Sequence, residues 1–560
     1  MTKHIKVQVL LVFSLIFFIL ITGCNKLTNE LENIKNQTED NEKGLGKNQV
    51  LRMGFNSMPP QLLPQTARDN VSFDLLNAIF EGLVRLNSNG TVGPGIAKKW
   101  EIDETKTVYT FELRDAQWSD GTYVTAYDFK ESWLKVLDPK TESQYSYLLF
   151  NIKNAQKYNE SQGVSSEEVG IDVIDKHTLQ VTLEKPSDYF IDLISFVTFF
   201  PIKDGDIEQY VDTYFKAPKN IISNGPFKIK KWEKDGNIIL EKNHMYWDEK
   251  NVVLDNIEIT VIEDTNTAVN LYKKGKLDVI EVPSEYINIY KDTQEFGNMI
   301  TGNTYYLQFN NEDTFFKNKK IRMALALAID RKSLTENILA DGSIPAYGIV
   351  PYGINGKYNT HFRNENGNLF DDINDENIDK HTLMKLLDEG LKELNKTKED
   401  LEQHIAYIIG NSDRHKKLGK GLQQMWMDNL DLNVKIESLE LSERLKRYDE
   451  KRYTFGIAGW GADYNDPETF LNIFITGVGN NDSYWSNSKY DELMNKAANS
   501  FGEERFNYML QAEKLMIEEM PVSPLFFEAR NFLQKSYVQR LIRYPVGVDN
   551  EYKWVNILTH

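Results

Sequence analysis

One cysteine in 560 residues, Cys24, is the strongest constraint on what this chain can become. No intramolecular disulfide can form, and a zinc site built on several thiolates is excluded. The fold must therefore be held by a large hydrophobic core. The chain has the material for one. Hydrophobic residues at 41% and charged residues at 26% are those of an ordinary soluble globular protein. That balance excludes global disorder, a collagen-like chain and a polytopic membrane protein. At roughly 150 residues per domain, the length predicts three to four domains. Sixty-five basic against 83 acidic side chains leave a net charge of −18, which argues against a nucleic-acid partner, since that needs a basic face.

The position of Cys24 is informative in itself. Lys3, His4 and Lys6 precede an apolar run from Val9 to Ile21 that only Ser14 interrupts. A basic segment, an apolar stretch and small residues describe a secretory signal over 1–23, too short for a comfortable membrane span. Ile21-Thr22-Gly23-Cys24 looks like a bacterial lipobox, in which the cysteine is diacylated and becomes the first mature residue. The competing reading is an ordinary signal peptide with an incidental cysteine. The stretch that follows, to Gln49, is rich in Asn, Lys, Glu and Thr and is expected to be a flexible, hydrated tether over 24–49. Loss of 1–23 removes Lys3 and Lys6 and no acid, so the mature chain is still more acidic and should stand off an anionic membrane. No later run spans: Tyr189 to Ile202 is too short and contains Asp192.

From about Val50 onward, strand and helix patterns alternate without an internal repeat. Tyr109, Phe111 and Leu113 alternate with Thr110, Glu112 and Arg114, which predicts a half-buried strand. Leu179, Val181 and Leu183 do the same, as do Ile257, Ile259 and Val261. Phe227 to Leu240 turns at Asp235-Gly236 and predicts a hairpin. Ile321, Ala324, Leu325, Ala328 and Ile329 form one apolar helix face, and Met509, Ala512, Met516 and Met520 form another. Such stripes mark core. The class is mixed α/β.

Catalytic motifs are missing. The chain has no G-x-S-x-G elbow, no H-E-x-x-H and no G-x-x-x-x-G-K-[ST] phosphate loop. Its eight histidines are scattered, with no pair at metal-ligand spacing. Eighty-three acids guarantee chance carboxylate pairs, so a glycosidase pair cannot be argued. Nothing positive supports an enzyme, and neither a cofactor nor a metal is expected.

A series of segments does stand out. Leu83-Val84-Arg85-Leu86 precedes a Gly-rich turn and Pro94-Gly95-Ile96-Ala97-Lys98-Lys99-Trp100. Trp118-Ser119-Asp120-Gly121-Thr122 and Val124-Thr125-Ala126-Tyr127-Asp128-Phe129 follow, then Ser223-Asn224-Gly225-Pro226-Phe227 and Asn243-His244-Met245-Tyr246-Trp247. Ile321-Arg322-Met323-Ala324, Pro345-Ala346-Tyr347-Gly348 and Trp460-Gly461-Ala462-Asp463-Tyr464-Asn465-Asp466-Pro467 complete it. In this order they resemble the extracytoplasmic solute-binding proteins of the peptide/nickel family, most of all the oligopeptide-binding proteins of ABC importers. The resemblance covers residues 50–560.

It implies a two-lobed, three-domain, periplasmic-binding-protein-like (type II) α/β fold with ligand enclosed between the lobes. Domain I would take 50–80, 205–303 and 528–560, domain II the inserted 81–204, and domain III 304–527. Hinge strands are expected at Thr304–Phe309 and Pro521–Phe527, which flex at a few backbone torsions. The implied partners are an oligopeptide, the importer's permease and, through the lipid, the outer face of the cytoplasmic membrane. A monomer is expected. The alternative is the same fold holding a dipeptide, a nickel chelate or an oligosaccharide.

The same likeness implies the site. Asp463 maps to the family's aspartate for the peptide α-ammonium group, and a buried ammonium does need a carboxylate. From the residues alone, Asp463 is equally a turn former beside Asn465-Asp466-Pro467. Gly459 and Gly461 flank Trp460 and allow the close backbone approach of a peptide adding as a strand. Trp460 would wall a side-chain pocket or simply pack in the core. Arg68-Asp69-Asn70 matches a segment facing this strand across the cleft, or is a plain surface loop. Tyr145 matches a lining position, or is an unremarkable core or surface tyrosine. His415 matches a histidine that meets the peptide C-terminus in some relatives, although Arg414 to Lys417 also suits a solvated helix start. Two positions depart from the pattern. Ile457 stands where relatives carry a carboxylate-binding arginine, and Leu441 where they carry a pocket tryptophan. The amine end of recognition is therefore expected to be kept and capture of the C-terminus altered.

Overall fold

A computed structural model describes residues 44–59, 62–67, 69–203, 221–233, 236–262, 264–282, 284–357, 360–370, 379–478 and 480–560. Cys24, the signal segment, Arg68 and Asp235 lie outside the described residues. Among those described, no helix is long and apolar enough to cross a membrane.

The alternation at 109–113 becomes the strand Val108–Leu113, with Tyr109, Phe111 and Leu113 buried and their neighbours half-exposed. It lies in a four-stranded antiparallel sheet between Ala97–Ile102 and Thr178–Thr182, with Ile171–Asp175 at the edge. Leu179 and Val181 point into the same core. The helix Ala126–Leu137 begins at Thr125, whose backbone N–H donates to Asp128 at 2.6 Å. It covers this core with Phe129 and Trp133, and the Trp133 indole donates to the Phe199 carbonyl.

A second sheet of eleven strands runs through the rest of the molecule. Its order is Lys435–Leu439, Ala406–Gly410, Phe455–Gly461, Phe296–Phe309, Val522–Gln534, Val279–Glu281, Val50–Phe55, Asn256–Val261, Asn237–Lys242 and Phe227–Trp232, with Ile344–Pro345 added alongside Val522–Gln534. The last two strands of that order are the expected hairpin, closing at Gly236. Two large apolar cores, with two small clusters beside them, divide the sheet among the described residues. One gathers residues between Leu51 and Ile259 with Val538 to Ile557, and the other residues between Tyr306 and Phe526. This is a two-lobed α/β fold.

The expected crossing at Thr304–Phe309 falls inside the longer strand Phe296–Phe309, and Pro521–Phe527 overlaps Val522–Gln534 from one residue before its start; the two strands pair antiparallel at the centre of the sheet. Their register slips between Ile300 and Thr304. At the slip, Gly302 donates to the Pro545 carbonyl at 2.6 Å and accepts from the Ala462 N–H at 2.8 Å. A Cβ on Gly302 would lie 2.8 Å from that same Pro545 oxygen, so only glycine fits where the three segments meet.

Three local expectations need correction. Residues 44–49, assigned to the tether, are tied to the C-terminal segment: Gly46 N–H and Gln49 Nε2 both donate to the Ile557 carbonyl. The polar side chain of Gln49, which made this stretch read as solvated, instead satisfies buried backbone. Ile329 lies beyond the end of its helix, Lys319–Leu327, though still buried. Met520 is the left-handed cap of the helix Gly502–Glu519, and the buried face of that helix also carries Glu513.

Candidate functional site

The strand Phe455–Gly461 prepares the site. On one edge it pairs with Asn303 to Phe309; on the other, Ala406–Gly410 reaches only Phe455 and Gly456. From Ile457 to Gly461 the second edge has no strand partner among the described residues. Gly459 and Gly461 lie opposite Tyr305 and Asn303, whose side chains occupy the space a Cβ would need, at 3.2 and 2.4 Å. The glycines thus leave an exposed main chain beside a cavity of about 400 Å³. Trp460, half-buried, lines that cavity and packs on the core of the second lobe; its indole N–H is buried and meets no acceptor among the described residues.

Asp463 follows at the end of this strand. The turn beyond it is held by other groups: Asp466 caps Glu468 N–H at 2.9 Å and forms a two-pronged ion pair with buried Arg505, both contacts at 2.8 Å. Asn465 accepts from Asn355 N–H. The Asp463 carboxylate takes no part in that turn. It lines the cavity and accepts from the Tyr147 hydroxyl at 2.7 Å, with the Thr469 hydroxyl at 3.5 Å. No lysine or arginine among the described residues pairs with it. Burial pushes its carboxyl up to about 6, against the two hydroxyl donors that lower it. A lone, half-buried carboxylate of this kind would be stabilised by a cation brought beside it.

The facing wall comes from the other lobe. Asn70 opens the helix Asn70–Ile79, lines the cavity and donates to Asp549 at 3.2 Å. The Asp69 carboxylate is engaged as that helix's N-cap, accepting from Ser72 N–H at 2.9 Å and from the Ser72 hydroxyl. It orients Asn70 and does not line the cavity. Tyr145 does line it, packed edge-on against Phe73 and close to Phe196. Across the cleft, Tyr189 stacks on Tyr464 with ring centres 5.1 Å apart, a contact between the lobes beside that of Tyr147 with Asp463.

His415 is set apart from this cavity. It sits in the first turn of the helix Asp413–Leu430, with Nδ1 2.8 Å from the Ser412 hydroxyl and its ring 6.5 Å from that of Tyr305. Burial, then Arg444 and Arg414, lower its affinity for a proton. Its neighbour Arg414 is no solvated helix start: it pairs with Glu528 at 2.8 Å and Asp341 at 2.9 Å. Those residues line a second chamber of about 500 Å³, which shares Thr301 and Arg530 with the first. Ile457 is fully buried in the second lobe.

Sequence reasoning passed over Tyr147, Arg530 and Asp549. Tyr147 lies two residues from Tyr145, so the doubled tyrosine was an available signal. Arg530, paired with Asp549 at 2.6 Å, lies in a stretch without a motif, and nothing local marks it. Among the described residues no cluster of three His, Cys, Asp or Glu could hold a metal ion.

Two lobes joined by central strands, with a ligand-sized cavity where they meet, make the architecture of a solute-binding protein. The model of the family described as "Bacterial extracellular solute-binding proteins, family 5 Middle" matches residues 91–482. The dipeptide-binding protein DppE of Bacillus subtilis is 31% identical over 524 residues, 93% of this chain and 94% of that protein. The oligopeptide-binding protein OppA of the same organism is 33% identical over 507 residues, covering 89% and 91%. The solved structure of Listeria monocytogenes OppA bound to peptide superposes with a TM-score of 0.76 at 32% identity, covering 92% of this chain and 100% of that one. The chain belongs to family 5 of the bacterial extracellular solute-binding proteins, and it is a binding protein rather than an enzyme.

Proposed function

We propose that this protein is a lipid-anchored receptor on the outer face of the cytoplasmic membrane. It binds oligopeptides by their main chain and free amino terminus and delivers them to the permease of an ABC importer. The observation that carries this reading is Asp463: a half-buried carboxylate with no cation among the described residues, beside a strand edge that no described strand pairs, in a cavity between two lobes. A peptide supplies what both features lack, an ammonium group for the carboxylate and backbone hydrogen bonds for the strand. The relatives named for oligopeptide binding support it. The relative named for dipeptides favours a smaller ligand on the same fold, but chambers of about 400 and 500 Å³ in series hold more than a dipeptide fills. Mass spectrometry of ligands that copurify with the protein tests the reading. Peptides of several residues with free amino termini are expected; a sugar or a metal chelate in their place would defeat it.

The anchor is proposed at Cys24. Cys24→Ser should abolish lipid modification, and unchanged labelling with radioactive palmitate would refute the assignment. The domain limits 50–80 with 205–303 and 528–560, 81–204, and 304–527 are likewise proposed, with flexing at the register slip near Gly302. A peptide that binds the closed state better than the open one should then shrink the particle. Small-angle scattering with and without peptide measures this, and identical radii of gyration would count against a hinge there.

A further inference from the structure

The ligand cavity has a side chamber. Asn70, Arg530 and Asp549 line both the main cavity and a further space of about 220 Å³, which is walled by Met53 to Asn56, Glu281 and Arg543. Two arginines enter this chamber, and their surroundings differ. Arg530 is matched, with Nη1 2.6 Å from an Asp549 carboxylate oxygen and Nε 3.8 Å from Glu281. Arg543 is unmatched. Its guanidinium carbon lies 3.4 Å over the Phe532 ring, and Nη1 donates at 2.9 Å to the side-chain oxygen of Gln534, a neutral group. Its Nη2 is walled off from water and meets no acceptor among the described residues, and no carboxylate there pairs with it.

Of the three acids around the chamber, Glu281 is largely exposed to solvent and forms no close ion pair with Arg543, and the other two are committed elsewhere. Asp74 accepts from the backbone N–H groups of Asp549 and Asn550 and from the Asn550 amide, which holds the 549–550 turn in place. Asp549 serves Arg530. Burial accordingly pulls the Arg543 guanidinium down to about 10, whereas Asp549 outweighs the same penalty at Arg530 and raises it. A buried cation without an anion is unfavourable and persists where a ligand supplies the missing charge.

We infer that this chamber is a subsite for a carboxylate carried by the bound peptide, with Arg543 as its receptor. The inference rests on the peptide reading above and deepens it: a receptor of this kind prefers peptides with a correctly placed acid over their neutral counterparts. The carboxylate has two sources, an aspartate or glutamate side chain or the free C-terminus of a short peptide. The chamber compensates for Ile457 if the second applies.

The test is calorimetry on the wild-type protein, Arg543→Gln and Arg543→Lys. The ligands are free-amine pentapeptides in which Glu replaces Gln at one position at a time, each as C-terminal acid and amide. In the wild type, one carboxylate should raise affinity by about 10- to 100-fold over its neutral counterpart, the range of a charge-assisted hydrogen bond. Arg543→Gln should lose that gain while still binding neutral peptides, and Arg543→Lys should keep part of it. A gain tied to a Glu position marks a side-chain subsite; a gain tied to the acid form marks a C-terminal one. If no carboxylate improves wild-type binding, or if the gain survives Arg543→Gln, the inference is overturned. If no peptide binds at all, the receptor reading falls first and this subsite with it.

Discussion

Asp463→Ala should weaken the binding of a peptide with a free amino terminus by roughly 100- to 4,000-fold. Removing one partner of a buried ion pair costs about 3–5 kcal/mol, and about 1.4 kcal/mol is a decade in affinity. A change at His415 should cost far less, because that ring lies outside the cavity and is held by Ser412. N-acetylating the peptide should hurt the wild type as strongly as the substitution does, yet harm Asp463→Ala little, since the same interaction is already gone. Four calorimetric titrations close this cycle. Equal acetylation penalties in both proteins would place the amine elsewhere.

The same carboxylate sets a pH dependence. Burial holds Asp463 at about 6 in the free protein, and only its ionised form can receive an ammonium group. Affinity should therefore be flat between about pH 6 and the peptide amine's own titration at about 8, and fall as pH drops through about 6, by about tenfold per unit, because the proton must leave on binding. The fall continues until the carboxyl of the complex, held lower by the ammonium beside it, also titrates. Asp463→Ala should show no such fall between pH 7.5 and 5, and a profile unchanged by the substitution would refute the assignment.

The second large effect concerns stability. Arg85→Ala should destabilise the first lobe by about 3–5 kcal/mol, since it strands two buried carboxylates. Arg85 lies 2.9 Å from Glu81 and 2.8 Å from Glu551, and none of the three side chains is more than 5% exposed. The network continues through the Tyr246 hydroxyl and Trp247 indole on Glu81 and the Asn77 amide on Glu551. It pins the entry to the proposed domain II against the C-terminal segment. Arg85→Lys should recover little, because one ammonium cannot fork between the two acids as a guanidinium does. Urea unfolding gives the measurement, and a loss below about 1 kcal/mol would show that the acids find other partners. Arg85 and Glu551 also wall a small space beneath Asp463, so this variant tests whether the floor of the cleft depends on the network.

These two sites mark where sequence reading succeeds and where it stops. Asp463 was legible through its W-G-A-D-Y-N-D-P setting, although the residues alone left it equally a turn former. Only the folded chain shows that Asp466 and Arg505 hold the turn, 39 positions apart, and free Asp463 for the cavity. Arg85 stood in a segment already singled out, yet nothing local discloses that it and Glu81 are buried, because Glu551 arrives from 466 positions away. Arg414 read as a solvated helix start for the same reason: its partners lie at 341 and 528.

What the sequence determined by itself is local and periodic. The alternation at 109–113, the hairpin at 227–240 and, up to the helix end at Leu327, the apolar face expected over 321–329 follow from side-chain direction, which repeats over two or about 3.6 residues whatever the rest of the chain does. The ordered series of segments added the family and, through it, Asp463. Tertiary structure decided everything that depends on which distant groups meet. A short 3₁₀ helix, Ser146–Asn151, carries the Tyr147 hydroxyl rather than that of Tyr145 to Asp463. The pairing of strands more than 200 residues apart places the register slip, and with it Gly302, under the ligand cavity. Charge and burial at Arg530, Arg543 and Asp549 are likewise properties of the assembled cleft. A desolvated charge depends on its whole surroundings, and those surroundings exist only once the lobes have formed.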